Sequence, residues 1–108
     1  MEVTTPVEAQ GILQSGRKVF LIDVRTAEEF REVHARGAQL FTLQQLDVDE
    51  IRAARDQGGY EEKILVICRS GARSGQACLM LNAAGIPAIN ISGGTMEWQA
   101  QGLPVERG

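Results

Sequence analysis

The sequence predicts an α/β fold built on a parallel sheet, and three observations carry that prediction. Short continuous apolar runs, "KVFLIDV", "KILVIC" and "IPAINIS", have strand length and do not alternate with polar residues. Strands buried on both faces, as in parallel sheets, read this way. Segments with helical spacing and capping residues lie between the runs, and glycines punctuate the joins. Strands that alternate with helices pair in parallel through right-handed crossovers.

Each element has its own local reason. "TTPVEAQGILQSG" is predicted helical, with Thr5 as N-cap, Pro6 at the first helical position and Gly16 closing the end. Val7, Ile12 and Leu13 supply part of an apolar stripe. "KVFLIDV" follows as a buried strand. "RTAEEFREVHARG" reads as a short helix in which Thr26 and Glu29 have capping-box spacing. "AQLFTL" is a short strand. "QQLDVDEIRAARDQGG" is an amphipathic helix with Leu46, Ile51 and Ala54 on one side, ended by Gly58 and Gly59. "KILVIC" is the most apolar strand and is placed centrally. In "ARSGQACLMLNAAG", Ala77, Met80, Leu81 and Ala84 recur at helical spacing and Gly85 stands where the helix should stop. "IPAINIS" is a strand, "GGTMEWQAQG" a last short helix, and "LPVERG" a tail.

A chain of 108 residues suits one compact domain spanning residues 1–108. The net charge of −3, from 11 basic and 14 acidic side chains, argues against a nucleic-acid-coating protein. No apolar run approaches the ~18 residues of a membrane span, and no charged-then-apolar leader is visible. The two cysteines, Cys68 and Cys78, do not form the dense pattern of a disulfide scaffold. The expectation is a cytoplasmic protein with neither nucleic-acid nor membrane partners.

The chemistry concentrates in "CRSGARS". Open α/β sheets bind ligands beyond the carboxyl ends of their strands, and Cys68 ends the strand placed centrally. Gly71 permits a tight loop, and a helix starts near Ala72 or Arg73. A loop feeding a helix N-terminus aims N–H groups at one point and favours anions. Arg69 and Arg73 add charge, while Ser70 and Ser74 add hydroxyl donors. Such a field stabilises a thiolate. The segment from Arg69 to Ser74 is therefore predicted to cradle an anion and to activate Cys68.

This stretch resembles the active-site loop of the rhodanese family of sulfurtransferases, commonly C-x-x-G-x-R-S at the end of a parallel strand. "IDVRTAEEF" is similar to the family's D-V-R…E-[FY] segment, with Asp23, Arg25, Glu29 and Phe30 in place. "HARGA" resembles G-H-I-x-G-A, keeping His34, Gly37 and Ala38, although Val33 and Ala35 stand where Gly and Ile are usual. "ISGGTMEWQAQGLPV" resembles the G-G…W…G-x-P-V ending through Gly93, Gly94, Trp98, Gly102 and Pro104. The likeness runs from about Thr5 to Val105. It implies a sheet of about five mainly parallel strands with helices on both faces. It also implies a two-step transfer. Cys68 thiolate takes the outer sulfur of a small anionic donor such as thiosulfate, and the Cys68 persulfide passes it to cyanide, a thiol or a protein. Neither step needs a metal or an organic cofactor.

Other residues have simpler readings. Cys78 falls beside the apolar stripe of its helix and reads as core. His34 reads as structural, and Trp98 as a packing anchor. Asp23 and Arg25 stand at a strand end, where they support the site, most simply as an ion pair fixing the loops. Thr26 and Glu29 need no role beyond capping. Three other functions compete. Cysteine phosphatases and arsenate reductases also set a cysteine before an anion loop closed by arginine. Tyrosine phosphatases use C-x5-R, and the interval from Cys68 to Arg73 is one residue shorter. A sulfur-relay module loaded by a partner protein would share the same loop. A non-catalytic domain of this kind often lacks the cysteine that is present here.

Overall fold

A computed structural model describes residues 1–60 and 63–108 of the chain. In chain order the elements are β1 (Glu2–Thr4), α1 (Pro6–Leu13), β2 (Leu21–Asp23), α2 (Ala27–Glu32), β3 (His34–Ala35) and β4 (Gln39–Leu40). A 3₁₀ turn (Leu43–Gln45) leads to α3 (Val48–Gly58), β5 (Ile64–Ile67), α4 (Ala72–Ala83), β6 (Ala88–Ile91), α5 (Gly94–Ala100) and β7 (Val105–Glu106). Five strands form one sheet in the order β1-β6-β5-β2-β4, and every pairing in it is parallel. The most apolar strand, β5, is central as expected.

The unbroken apolar runs are explained by burial on both faces. Phe20, Ile22, Val24, Ile64 and Val66 face α3 and α4, where Ile51, Ala77, Cys78 and Leu81 meet them. The intervening Leu21, Leu65 and Ile67, with Ile89 and Ile91, face the other way onto Ala9 of α1 and Trp98 of α5. Each fully buried aliphatic side chain contributes about 1.5–3 kcal/mol, so the two half-cores together hold the sheet from both sides.

Several sequence expectations are corrected. Glu2–Thr4 form β1, an edge strand with no long apolar run of its own, held by its register on β6 (Val3 opposite Asn90). The segment read as a helix through Gly37 stops at Glu32, and His34–Ala35 instead pair antiparallel with Val105–Glu106 of the supposed tail. Val33, at φ −167°, is simply extended, so replacing the family's glycine there strains nothing. "AQLFTL" contributes only Gln39–Leu40 to the sheet. The helix read from Gln44 starts at Val48, because the Asp47 side chain accepts from the N–H groups of Asp49 and Glu50 and caps it. Leu46 still packs on the core from before the helix. Met80 and Val7 are exposed rather than core-facing. The buried face of α4 is instead the stripe Ser74, Gly75, Ala77, Cys78 and Leu81, whose first four side chains are small.

The turn from β6 into α5 fixes the site. The Thr95 N–H and hydroxyl donate to the Cys68 carbonyl at 2.8 and 3.0 Å, and the Met96 N–H donates to the Arg69 carbonyl at 3.1 Å. Gly94 makes this approach possible. It has φ +57°, and a Cβ there would run into the Cys68 carbonyl and lie 2.6 Å from the Arg69 carbonyl. Gly94→Ala should therefore cost roughly 2–5 kcal/mol, from the left-handed backbone and the clash together. Gly11, exposed within α1 with open space at its Cβ position, is the control. Gly11→Ala should stabilise by about 0.5–1 kcal/mol. Urea denaturation of both variants checks the pair.

Candidate active site

Cys68 follows β5 directly and is 1% exposed. Gly71, at φ +117°, turns the chain into α4 and stands at its N-cap position without a side-chain cap. The first-turn N–H groups of a helix have no partner within it. Here they serve the sulfur. The Gly71 N–H donates to Cys68 Sγ at 3.1 Å, and the Ser74 hydroxyl lies 3.2 Å from it. The N–H groups of Ser70 and Ser74 join them. Two carbonyls that would repel a thiolate, those of Cys68 and Arg69, are turned away and held by α5. Burial alone would push the Cys68 thiol up, but the Ser74 hydroxyl and the N–H groups of Ser74, Gly71 and Ser70 outweigh it, and the pKa is lowered.

Of the predicted loop residues, Ser70, Gly71 and Ser74 thus converge on the sulfur. Ala72 and Arg73 open α4. Arg73 is committed differently from expectation. Its guanidinium donates to both oxygens of Glu29, at 2.7 and 2.9 Å. Glu29 therefore does more than cap α2: it takes the Thr26 N–H and hydroxyl at 3.2 and 3.1 Å and Arg73 as well. Arg73, expected to supply charge to the anion loop, has that charge engaged in this bidentate pair. Among the described residues, Arg69 makes no ion pair. It borders a cavity of about 180 Å³ with Arg25, Glu29, Glu32, Thr95 and Met96.

Asp23 and Arg25 are both buried at the end of β2. Arg25 donates from Nη2 to Asp23 Oδ2 and to the Val33 carbonyl, each at 2.7 Å, and the Thr42 hydroxyl donates to the Arg25 carbonyl at 2.8 Å. The pair ties β2 to the α2–β3 corner. His34 stacks on Phe30 at 3.6 Å between ring centres, and its Nδ1–H donates to the Phe30 carbonyl at 2.7 Å. Trp98 is fully buried and donates to the Pro104 carbonyl at 2.8 Å. Cys78 is enclosed in the core. Burial first, and then the nearby Cys68 charge, push its thiol up to about 11. Among the described residues no group of three His, Cys, Asp or Glu is placed to hold a metal.

One residue escaped sequence reasoning. Asn90 of β6 is 7% exposed, accepts from the Ser74 hydroxyl at 2.5 Å and donates to the Gly71 carbonyl at 3.1 Å. A buried amide in the apolar run "AINI" was the available signal, since such a group must find partners.

The Arg73 guanidinium is the main cause holding the Glu29 carboxyl down, to about 2 from an ordinary 4.5; burial opposes it, and Thr26 assists. A depressed carboxyl contributes stability that is present above the unfolded value and lost as pH falls through the folded one. Between pH 4.5 and 2 the wild type should therefore lose more stability than Glu29→Gln. Urea midpoints across that window check it; parallel loss in both would contradict it.

The geometry has counterparts among known proteins. The model of the rhodanese-like domain family matches residues 5–101. Thiosulfate sulfurtransferase 18 of Arabidopsis thaliana is 32% identical, over 91% of this chain and 78% of that one. The probable adenylyltransferase/sulfurtransferase MoeZ of Mycobacterium tuberculosis is 36% identical over 93% of this chain, which spans only 25% of that protein's length. A crystal structure from Staphylococcus saprophyticus superposes with a TM-score of 0.79 at 29% identity, covering 96% of this chain and 99% of that one. With the family model spanning residues 5–101 and relatives similar along nearly the whole chain, the chain belongs to the rhodanese-like domain family.

Proposed function

We propose that the protein is a sulfurtransferase whose nucleophile and sulfur carrier is Cys68. The convergence of three N–H groups and one hydroxyl on Cys68 Sγ carries this reading. The thiolate attacks the outer sulfur of a donor such as thiosulfate. The new Cys68 S–S bond forms as the donor's own S–S bond breaks, and sulfite leaves with the electron pair. The charge then sits on the outer sulfur, ~2 Å further along. The N–H groups of Ala72 and Arg73, in the uncapped first turn of α4, stand ready for it. An acceptor such as cyanide or a thiol attacks that sulfur and restores the thiolate. The loop residues 69–74 supply the donors, and Arg69 supplies the charge that draws a dianion, with no cofactor required.

The arginine commitments argue against phosphoryl chemistry. A cysteine phosphatase closes its loop with an arginine around the oxyanion, and the corresponding Arg73 is held by both oxygens of Glu29. With Arg73 engaged, Arg69 is the loop arginine that makes no ion pair among the described residues, and a partner-loaded relay would share this site's chemistry and differ in the donor alone.

Incubation with thiosulfate followed by intact mass tests the proposal. Wild type and Cys78→Ser should each gain one sulfur, removed by cyanide, and Cys68→Ser should gain none. Uptake by Cys68→Ser would overturn the assignment. Loading of Cys68 by a protein persulfide but not by thiosulfate would establish the relay form.

A further inference from the structure

Four hydrogen bonds close a ring around the nucleophile. The Gly71 N–H reaches Cys68 Sγ at 3.1 Å, and Sγ meets Ser74 Oγ at 3.2 Å. Ser74 Oγ meets Asn90 Oδ1 at 2.5 Å, and Asn90 Nδ2 returns to the Gly71 carbonyl at 3.1 Å. The donor roles follow from the ring itself. The Gly71 carbonyl only accepts, so it must face the Asn90 NH₂ group, and Oδ1 must face Ser74. Oδ1 also only accepts, so Ser74 gives its single hydroxyl hydrogen to Asn90. A Cys68 thiol fits this arrangement, with S–H donating to Ser74 Oγ.

A thiolate does not fit it. With the hydrogen on Asn90, a lone pair of Ser74 Oγ would face the sulfur anion. To stabilise the anion, the hydroxyl must turn to Sγ and leave a buried amide oxygen without its donor. The amide cannot turn to follow, because its NH₂ group is anchored on the Gly71 carbonyl. We propose that Asn90 is a positioning residue: it competes with Cys68 Sγ for the one Ser74 hydrogen, so that the hydroxyl swings to the sulfur when the thiolate forms and returns to Asn90 when the charge moves to an outer sulfur. Asn90 thereby disfavours the bare thiolate relative to the persulfide. The inference rests on Cys68 as the sulfur carrier, but the hydroxyl's competition is readable with no sulfur donor present.

The charged and titratable groups around Cys68 are Arg69 and Arg73 beside it, Asp23 and Arg25 at the end of β2, Glu29 through Arg73, and Cys78 on α4. The test leaves all of them in place. The rate of Cys68 alkylation by iodoacetamide, mapped to its peptide by mass, is followed against pH in wild type, Asn90→Ala, Ser74→Ala and the double variant. Asn90→Ala should lower the midpoint by about one pH unit, giving roughly tenfold more thiolate at a fixed pH below it. Ser74→Ala should raise it, and adding Asn90→Ala to Ser74→Ala should change it little. Asn90→Asp, which holds the hydrogen more strongly and adds negative charge, should raise the midpoint, and by less once Ser74 is gone. It keeps the proposal testable if the alanine variant does not fold. A midpoint unmoved by Asn90→Ala, or moved equally with and without the Ser74 hydroxyl, would overturn the proposal. A packing role alone would lower the urea midpoint and leave the alkylation midpoint where it was. Sulfur loading by thiosulfate is scored separately, so failure here leaves the transfer reading standing.

Discussion

A sulfur anion inside a protein persists only where hydrogen-bond donors replace the water it has lost. Cys68 is almost wholly buried at the end of the central strand, and the surrounding architecture can be understood from that requirement. The loop must turn tightly enough to aim its N–H groups inward, so Gly71 takes a backbone angle that other residues avoid. The carbonyls of the same loop must point elsewhere, and α5 receives them through Thr95 and Met96. Helix α5 can come that close only because Gly94 has no side chain. The parallel sheet brings β5 and β6 together in register, so that both sides of the cradle arise at one edge.

The charges are arranged so that they do little of this work directly. Arg25 is paired with Asp23 and the Val33 carbonyl, and Arg73 with Glu29. These pairs fasten α2 and the β2 end to the α4 loop. The buried Arg25–Asp23 pair should cost roughly 3–5 kcal/mol when one partner is removed, and the Arg73–Glu29 pair is half-buried, so they are better understood as braces than as substrate ligands. The field at the sulfur is mainly that of oriented backbone, which needs no side-chain rotamer to be held. Arg69, which makes no ion pair among the described residues, borders a cavity together with Arg25. Cys78 shows the contrast within the same helix: without donors around it, burial pushes its thiol up.

Much of this was legible in the sequence. Apolar runs without alternation marked strands buried on both faces, and the helices prove to cover both. The strand–glycine–helix pattern around Cys68 located the cradle. What stayed hidden depends on distant partners. The three-residue β1 and the β3–β7 ribbon carry no periodicity and exist through pairing across most of the chain. The capping-box spacing of Thr26 and Glu29 was visible, but nothing local showed that Arg73 would occupy the same carboxylate. Asn90 sat in an apolar run as one polar residue, and only the fold shows that it faces Ser74. Met80 failed as a core residue because the face of α4 that meets the sheet runs through Ser74, Gly75, Ala77, Cys78 and Leu81, and Met80 lies outside it.

Hydrogen-bond donors, not exposure, set the state of the Cys68 thiol. Carbon NMR titration of the two cysteine Cβ resonances measures this directly in the folded protein. Cys68 should titrate below an ordinary thiol and Cys78 far above it, near 11. Two cysteines titrating together, or Cys68 the higher of the two, would contradict the account.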